Sequence, residues 1–592
     1  MKLFKYRFFV SAALLLSILL PAGEGYAQGF LKASGQQIVD AGGKNVLLRG
    51  MGLGGWMLQE PYMMQLNGSA YNQGDFRKKL VNLIGQERTA AFYEAWLANF
   101  CTKTDIDSLA SWGFNSIRLP MHYNLFTLPV EQEPVPGKHT WLDKGFVMVD
   151  SLLQWCAANK TYLILDLHAA PGGQGSDFAI SDRDTTLPSL WQSEANKEKT
   201  IALWKKLAER YVNEPWIGGY DLINETNWGF QNAADKNGCA ETANVPLRKL
   251  LVDITEAIRT VDTNHLIMIE ANCWANNYKG VFPLWDSNMV VSFHKYWNDN
   301  NPSSIQQFVD YRKQYNVPVW MGESGENSNP WFRSAISVME HNNIGWAWWP
   351  HKKIGFNNPF EIRSNDGYKK VIRHLKGEGV KPSADEAFAG LMRLAEDSKA
   401  DRTIFHKDVV DAMFRQVQST ETVPFKDHRV PGNGKVYAVD FDLGPIGYAY
   451  YSKDSANYRV STGKNTQWNK GHTYRNDAVD IEPSKDAGSN GYQVSEMQEG
   501  EWLQYTVEST TAGLVDVQLR CMAPRGAAVS LTLAGNENCK GWNATAPGDS
   551  SWTTLTFKKV PLKKGANRVR IAVTSGTLSM NYLSFIKPKT GK

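Results

Sequence analysis

Two hydrophobic rhythms divide this chain. From about residue 45 to 375 one event recurs: a short apolar run ends in a polar or aromatic residue, and a stretch with apolar positions every three or four residues follows. The apolar runs are 46–53, 115–119, 162–167, 217–223, 266–269, 289–293, 317–321 and 345–349, and the clearest helical stretches are 87–100, 142–158, 194–212 and 245–261. Eight strand-like runs alternating with helices predict a (β/α)8 TIM barrel, placed at 28–378. A doubly wound open sheet would instead want a glycine loop that opens a helix after the first strand. "GMGLGG" at 50–55 leads into Trp56 and Pro61 and does not open one. Apolar faces marked by Ala387, Leu391, Leu394, Val409 and Met413 predict a helical appendix at 379–422, and the Pro/Gly-bearing "VPFKDHRVPGNGK" at 423–435 reads as a linker. From 436 to 588 the period falls to two, as in "LVDVQLRCM" (514–522) and "NRVRIAVTS" (567–575). That texture predicts an antiparallel β-sandwich of jelly-roll type.

The first residues follow neither rhythm. Lys2, Lys5 and Arg7 precede an apolar run at 8–20 and a small-x-small site at Gly25-Tyr26-Ala27, the pattern of a signal peptide over 1–27. A secreted or periplasmic location is expected, with no membrane-spanning segment later in the chain. The balance of 64 basic against 60 acidic residues, with no basic block, sets nucleic-acid partners aside. Six cysteines without a CxxC give neither a disulfide scaffold nor zinc spacing. Cys239/Cys273 and Cys521/Cys539 are candidate pairs, with free buried thiols as the equal alternative. The 21 Trp, 23 Tyr and 25 Phe residues can be core, or flat apolar faces on which sugar rings stack.

Catalytic groups of a barrel lie at the C-terminal ends of its strands. Read in order, those ends give Arg118, His168, Asn224 with Glu225, Glu270 with Asn272, His294 with Tyr296, Glu323, and Trp349 with His351. Any one could be a satisfied structural residue; the set at matching positions points to a site. A carboxylate that ends an apolar strand, as in "YDLINET", is costly to bury unpaired. Two carboxyls about 5–5.5 Å apart are what a retaining glycosidase uses, one attacking the anomeric carbon and one exchanging a proton with the leaving oxygen. Glu225 and Glu323 are that pair in this reading. Glu270 is the rival, and Glu326 reads as a helix-start charge.

These rim motifs resemble glycoside hydrolase family 5. The resemblance implies that Glu225 in "INET" is the acid/base, that Asn224 donates to the sugar 2-hydroxyl, and that Glu323 in "MGES" is the nucleophile. It implies that Arg118 in "FNSIRLP" orients the nucleophile, that His168 in "LDLHAAPGG" lies beside the substrate, and that His294 and Tyr296 in "SFHKYW" flank the carboxylates. Trp349 in "WAWWPHKK" matches the platform under the reacting sugar, with Trp348 as the competing choice. "LRGMGLGGWMLQEPYM" is most similar to the exo-acting β-1,3-glucanases of that family, and Glu60, Trp56, Lys352 and Lys353 are candidate outer sugar contacts. The expected partner is a β-glucan polysaccharide, the expected state a monomer, and no cofactor is needed for catalysis. An endo-β-1,4-glucanase or mannanase would share the same rim. A non-catalytic polysaccharide-binding protein is the reading from another class.

The C-terminal part resembles a family 6 carbohydrate-binding module through "YRNDAVDIE", "GYQVSEMQEGEWLQYTV" and "LSMNYLSFI". That resemblance places sugar against Tyr492, Trp552 and Asn581, with Trp542 as alternative to Trp552, and leaves Trp502 and Tyr505 in the core. It also suggests a structural calcium on Asp440 and Asp442 of "AVDFD".

Overall fold

The computed structural model describes residues 29–432, 434–454, 469–534 and 541–588; the stretch 1–27, read as a signal peptide, and Cys539 lie outside the described residues. Eight parallel strands close into a barrel. They are β1 (Arg49–Gly52), β2 (Ser116–His122), β3 (Tyr162–Ala169), β4 (Ile217–Asp221), β5 (Ile267–Ile269), β6 (Met289–Lys295), β7 (Val319–Gly325) and β8 (Gly345–Trp349). β8 pairs back onto β1 through Trp346–Arg49 and Trp348–Met51, which completes the ring.

The strand residues alternate between two environments. One set, with Ile117, Leu163, Leu165, Ile267 and Met321, packs outward against the helices. The inward set is apolar at the base, where Tyr162, Ile164, Leu266, Met268, Val290, Trp320 and Ala347 form their own cluster under the N-terminal hairpin of Leu31 and Ile38. Two residues further along β3 the same inward face carries Asp166, then His168, because side chains repeat every second position. The polar mouth is therefore the continuation of the apolar floor.

The appendix helices Ala384–Asp397 and Lys407–Met413 belong to the barrel's apolar cluster through Ala387, Leu391, Leu394, Val409 and Met413. The C-terminal domain is a sheet of almost wholly antiparallel strands around the long strand Gly565–Ile586, with Val517, Leu519, Phe557 and Ile571 in its core. That sheet reaches back into the stretch read as a linker: Arg429–Val430 pairs with Glu508–Ser509. Cys239 and Cys273 form a disulfide, and Cys521 is a buried free thiol. Among the described residues no helix is long and apolar enough to cross a membrane.

Candidate active site

Arg118, rising inward from β2, is fully buried and organises the mouth. Its Nε donates to Asp221 at 3.0 Å, its Nη1 to Glu323 at 2.8 Å, and its Nη2 to Asn224 and Glu270, each at 2.8 Å, with Asp166 at 3.2 Å. One guanidinium thus faces four carboxyl groups. Burial opposes its charge, but those four partners hold it far above the ordinary range. Asp221 is pushed well above its usual range by burial and by the nearby Glu270, against the pull of Arg118. Removing one partner from such a buried array typically costs about 3–5 kcal/mol, because the other charges are left unpaired.

Glu323 receives Arg118 on one oxygen and the Tyr296 hydroxyl, at 2.8 Å, on the other. Glu225 sits across from it in a left-handed backbone conformation (φ 39°) rare for a residue with a side chain. Its N–H donates to Glu270 at 2.7 Å, which holds this turn. His294 stands between: Nδ1 lies 2.5 Å from Glu225 and 4.0 Å from Glu323, and Nε2 lies 3.1 Å from Glu270. The facing atoms of Glu225, His294 and Glu323 all lie within 4.8 Å of one another. Burial raises Glu225, His294 lowers it, and the neighbouring carboxylates Glu323 and Glu270 help burial to prevail. Burial would also raise Glu270, but His294, Arg118 and the Glu225 N–H outweigh it and hold Glu270 at about 2. Glu270, the rival at the sequence level, is therefore a permanent anion beneath the pair, closed off from the cavity.

The floor is aromatic. Trp349 and His168 stack at 5.1 Å and 10°. Gly52 and Gly54 make room for the indole: a Cβ on either would come within 2.7 Å of the Trp349 ring. This explains the glycine-rich run after β1, which serves close packing and not phosphate binding. His168 Nδ1 bonds Asp166 at 2.7 Å, and its Nε2 faces Glu60 at 3.7 Å and Asn224 Nδ2 at 3.3 Å. Burial pushes Glu60 up to about 7 against the attraction of His168. A cavity of about 1080 Å³ opens over these groups, lined by Glu60, His168, Glu225, His294, Tyr296, Glu323 and Trp349.

Several expected contacts lie elsewhere. Trp56 is buried between strand and helix, its indole N–H donating to the Leu97 carbonyl, so it cannot touch sugar. Trp348 packs on Trp331 and Phe332 in the core, which leaves Trp349 as the floor. Lys352 is wholly buried on Asp105 and the Phe100 and Ser398 carbonyls. His351 is buried edge-on to Phe100, and burial pushes its imidazole well below the ordinary range. Lys353 reaches the rim, pairing with Glu326 at 3.1 Å. Sequence reasoning did not single out Asp166 and Asp221, or the rim aromatics Tyr62, Trp274 and Trp297. The two aspartates had a signal: each is an acid inside an otherwise apolar strand run.

In the C-terminal domain Tyr492 and Trp552 are half-buried, and Asn581 is fully buried with its amide on Asp486 at 2.7 Å. Trp542 packs half-buried on the domain core. Tyr505 is core, whereas Trp502 is half-buried beneath the Arg570 guanidinium at 3.6 Å. Asp440 and Asp442 are held by protein donors, with one Asp440 oxygen, Oδ2, buried without a hydrogen-bond partner. Asp442 accepts from Gln504 and from the Thr506 N–H and hydroxyl, and Asp440 from Tyr474 and Lys426. Among the described residues the only convergent group of His, Cys and acidic side chains is the one in the barrel.

Paired carboxyls over an aromatic floor at the mouth of a parallel barrel define an enzyme that opens glycosidic bonds. Residues 75–353 match the sequence model of cellulase, glycosyl hydrolase family 5, and residues 475–585 that of carbohydrate binding module family 35, in place of the family 6 suggested by the motifs. A β-xylosidase of Phanerodontia chrysosporium is 27% identical over 381 residues, covering 58% of this chain and 75% of that protein. Endoglucanase C of Acetivibrio thermocellus is 23% identical over 319 residues, covering 43% and 85%. A probable glucan 1,3-β-glucosidase A of Aspergillus niger is 28% identical over 186 residues, covering 31% and 42%. The protein is a glycoside hydrolase, with one region that matches family 5 and a C-terminal region that matches a family 35 carbohydrate-binding module.

Proposed function

We propose that the barrel cleaves β-glucan by retaining double displacement. Glu323 attacks the anomeric carbon while Glu225 gives its proton to the leaving oxygen; Glu225 then takes a proton from the water that frees the sugar. The observation that carries this reading is the approach of the two carboxyls to within 4.8 Å, with different partners on each. Arg118 and Tyr296 donate to Glu323 and orient it, and burial favours the neutral, proton-giving form of Glu225. Asn224 and His168 face the sugar's hydroxyls and Trp349 its apolar face. Glu60, which lines the cavity, supplies a further polar contact.

The named relatives are a β-xylosidase, an endoglucanase and a probable glucan 1,3-β-glucosidase, which supports a β-glycan substrate. An exo-acting β-1,3-glucanase is the finer reading, with endo-β-1,4-glucanase or mannanase as its rivals on the same rim. The C-terminal module, 436–588, binds the polymer through the half-buried Tyr492 and Trp552, while Asn581, buried on Asp486, supports that face from below. The enzyme is secreted or periplasmic and monomeric, and its catalysis uses no cofactor.

Glu323→Ala tests the reading. Release of reducing sugar from laminarin, lichenan, cellulose, mannan and xylan should vanish while polymer binding persists. Azide should restore turnover of an activated aryl glycoside, giving the inverted glycosyl azide. A wild type that releases no sugar from any of these polymers, or whose first product is inverted by NMR, overturns it.

A further inference from the structure

The turn that follows the Glu323 strand is gripped by the C-terminal domain. After β7 the chain passes through Glu326 (φ 52°), Asn327 and Ser328 into the helix Asn329–His341. Asn476 of the module, fully buried, donates its amide to the Asn327 carbonyl at 2.9 Å and to Asn329 Oδ1 at 3.0 Å. In return the Asn329 N–H donates to the Asn476 carbonyl at 2.8 Å. The Asn329 amide spans Asp408 of the appendix at 2.8 Å and Asp477 of the module at 3.2 Å, and Asp408 also accepts from the Asn476 N–H at 2.7 Å. Barrel, appendix and module thus share one buried polar knot. On its other side the same turn faces the catalytic cavity. Glu326 lines that cavity, pairs with Lys353 and accepts from the Trp297 indole at its carbonyl. The loop after β8 is held too: Phe356 belongs to the module's apolar core.

A module that only tethers the enzyme to polymer needs no such grip, since effective concentration requires only a linker that reaches. We infer that the module is a fixed buttress behind the active site, and that Asn476 is a positioning residue acting through the 325–329 turn on the geometry around Glu323. The module then matters for substrates too small to reach its own sugar-binding face. This rests on the glycosidase reading above, and the experiment separates the two.

Asn476→Asp keeps the shape and the carbonyl partners but loses both amide donations; Asn476→Ala removes the side chain. On p-nitrophenyl β-cellobioside or another short aryl β-glycoside that the wild type turns over, each variant should lower kcat roughly 10- to 100-fold, as small misplacements of reacting groups do. KM and the far-UV spectrum should stay near wild type. Independently of activity, hydrogen exchange at the Asn329 amide should quicken in both variants. Unchanged kcat together with unchanged exchange overturns the inference, and if the alanine variant does not fold, the aspartate variant decides. A wild type inactive on every glycoside sinks the glycosidase reading alone; quickened exchange would still establish the grip.

Discussion

Glu60 offers a sharp test of how the site stores charge. The side chain is 8% exposed and faces His168, Glu323 and Glu326. Its folded value of about 7 stands against an ordinary 4.5. Below pH 4.5 both folded and unfolded chains hold the proton, so Glu60 costs nothing. As pH rises from 4.5 to 7 the unfolded chain releases it first, so stability falls; above 7 the full cost remains. A gap of about 2.5 units at 1.36 kcal/mol each is about 3 kcal/mol at pH 8, and about 1 kcal/mol at pH 5. Glu60→Gln keeps the shape and removes the titration, while His168 retains Asp166. The variant should therefore gain little in unfolding midpoint at pH 5 and markedly more at pH 8, measured by urea denaturation followed by circular dichroism. Equal gains at the two pH values, or a loss at pH 8, would refute the argument that burial outweighs the His168 attraction.

Glu225→Gln should lower kcat by roughly 10²–10⁴ on substrates with poor leaving groups and far less on dinitrophenyl glycosides, and should abolish the basic limb of the pH–rate profile. Glu270→Gln removes an anion that raises Glu225 and frees His294 to favour the Glu225 carboxylate, so that basic limb should move to lower pH. Trp349→Ala should cost about tenfold in kcat/KM by removing the floor, with the melting temperature checked to separate binding from packing.

The barrel was legible because parallel strands are buried on both faces and appear as continuous apolar runs. That continuity hid which residues point inward. Asp166 and Asp221 lie inside such runs, and only the assembled ring shows them converging on Arg118. Trp56 and Trp349 look alike in sequence, each an aromatic next to a strand end. One faces the helix layer and the other the cavity, a difference set by the glycines that admit only the Trp349 ring. Period two identified the sandwich but carries no pairing information. Its sheet borrows Arg429–Val430 from a stretch whose proline and glycine suggested a linker. Asn476 had no signal at all, because a buried polar knot between distant segments leaves no local period.

Two glutamates of identical chemistry must behave differently for double displacement to run, and their partners supply the difference. Glu323 is given a guanidinium and a phenol, each donating to one of its oxygens. Glu225 is given burial and a histidine, but that histidine is shared with Glu270. Glu270, held down at about 2, is a second anion on the same imidazole and adds its own field at Glu225. Burial, with the fields of Glu323 and Glu270, outweighs the pull of His294 and raises Glu225 toward its protonated form. The asymmetry of the pair therefore resides one layer beneath it, in Arg118, Glu270 and the two aspartates. A substitution there should shift the pH profile before it alters sugar binding.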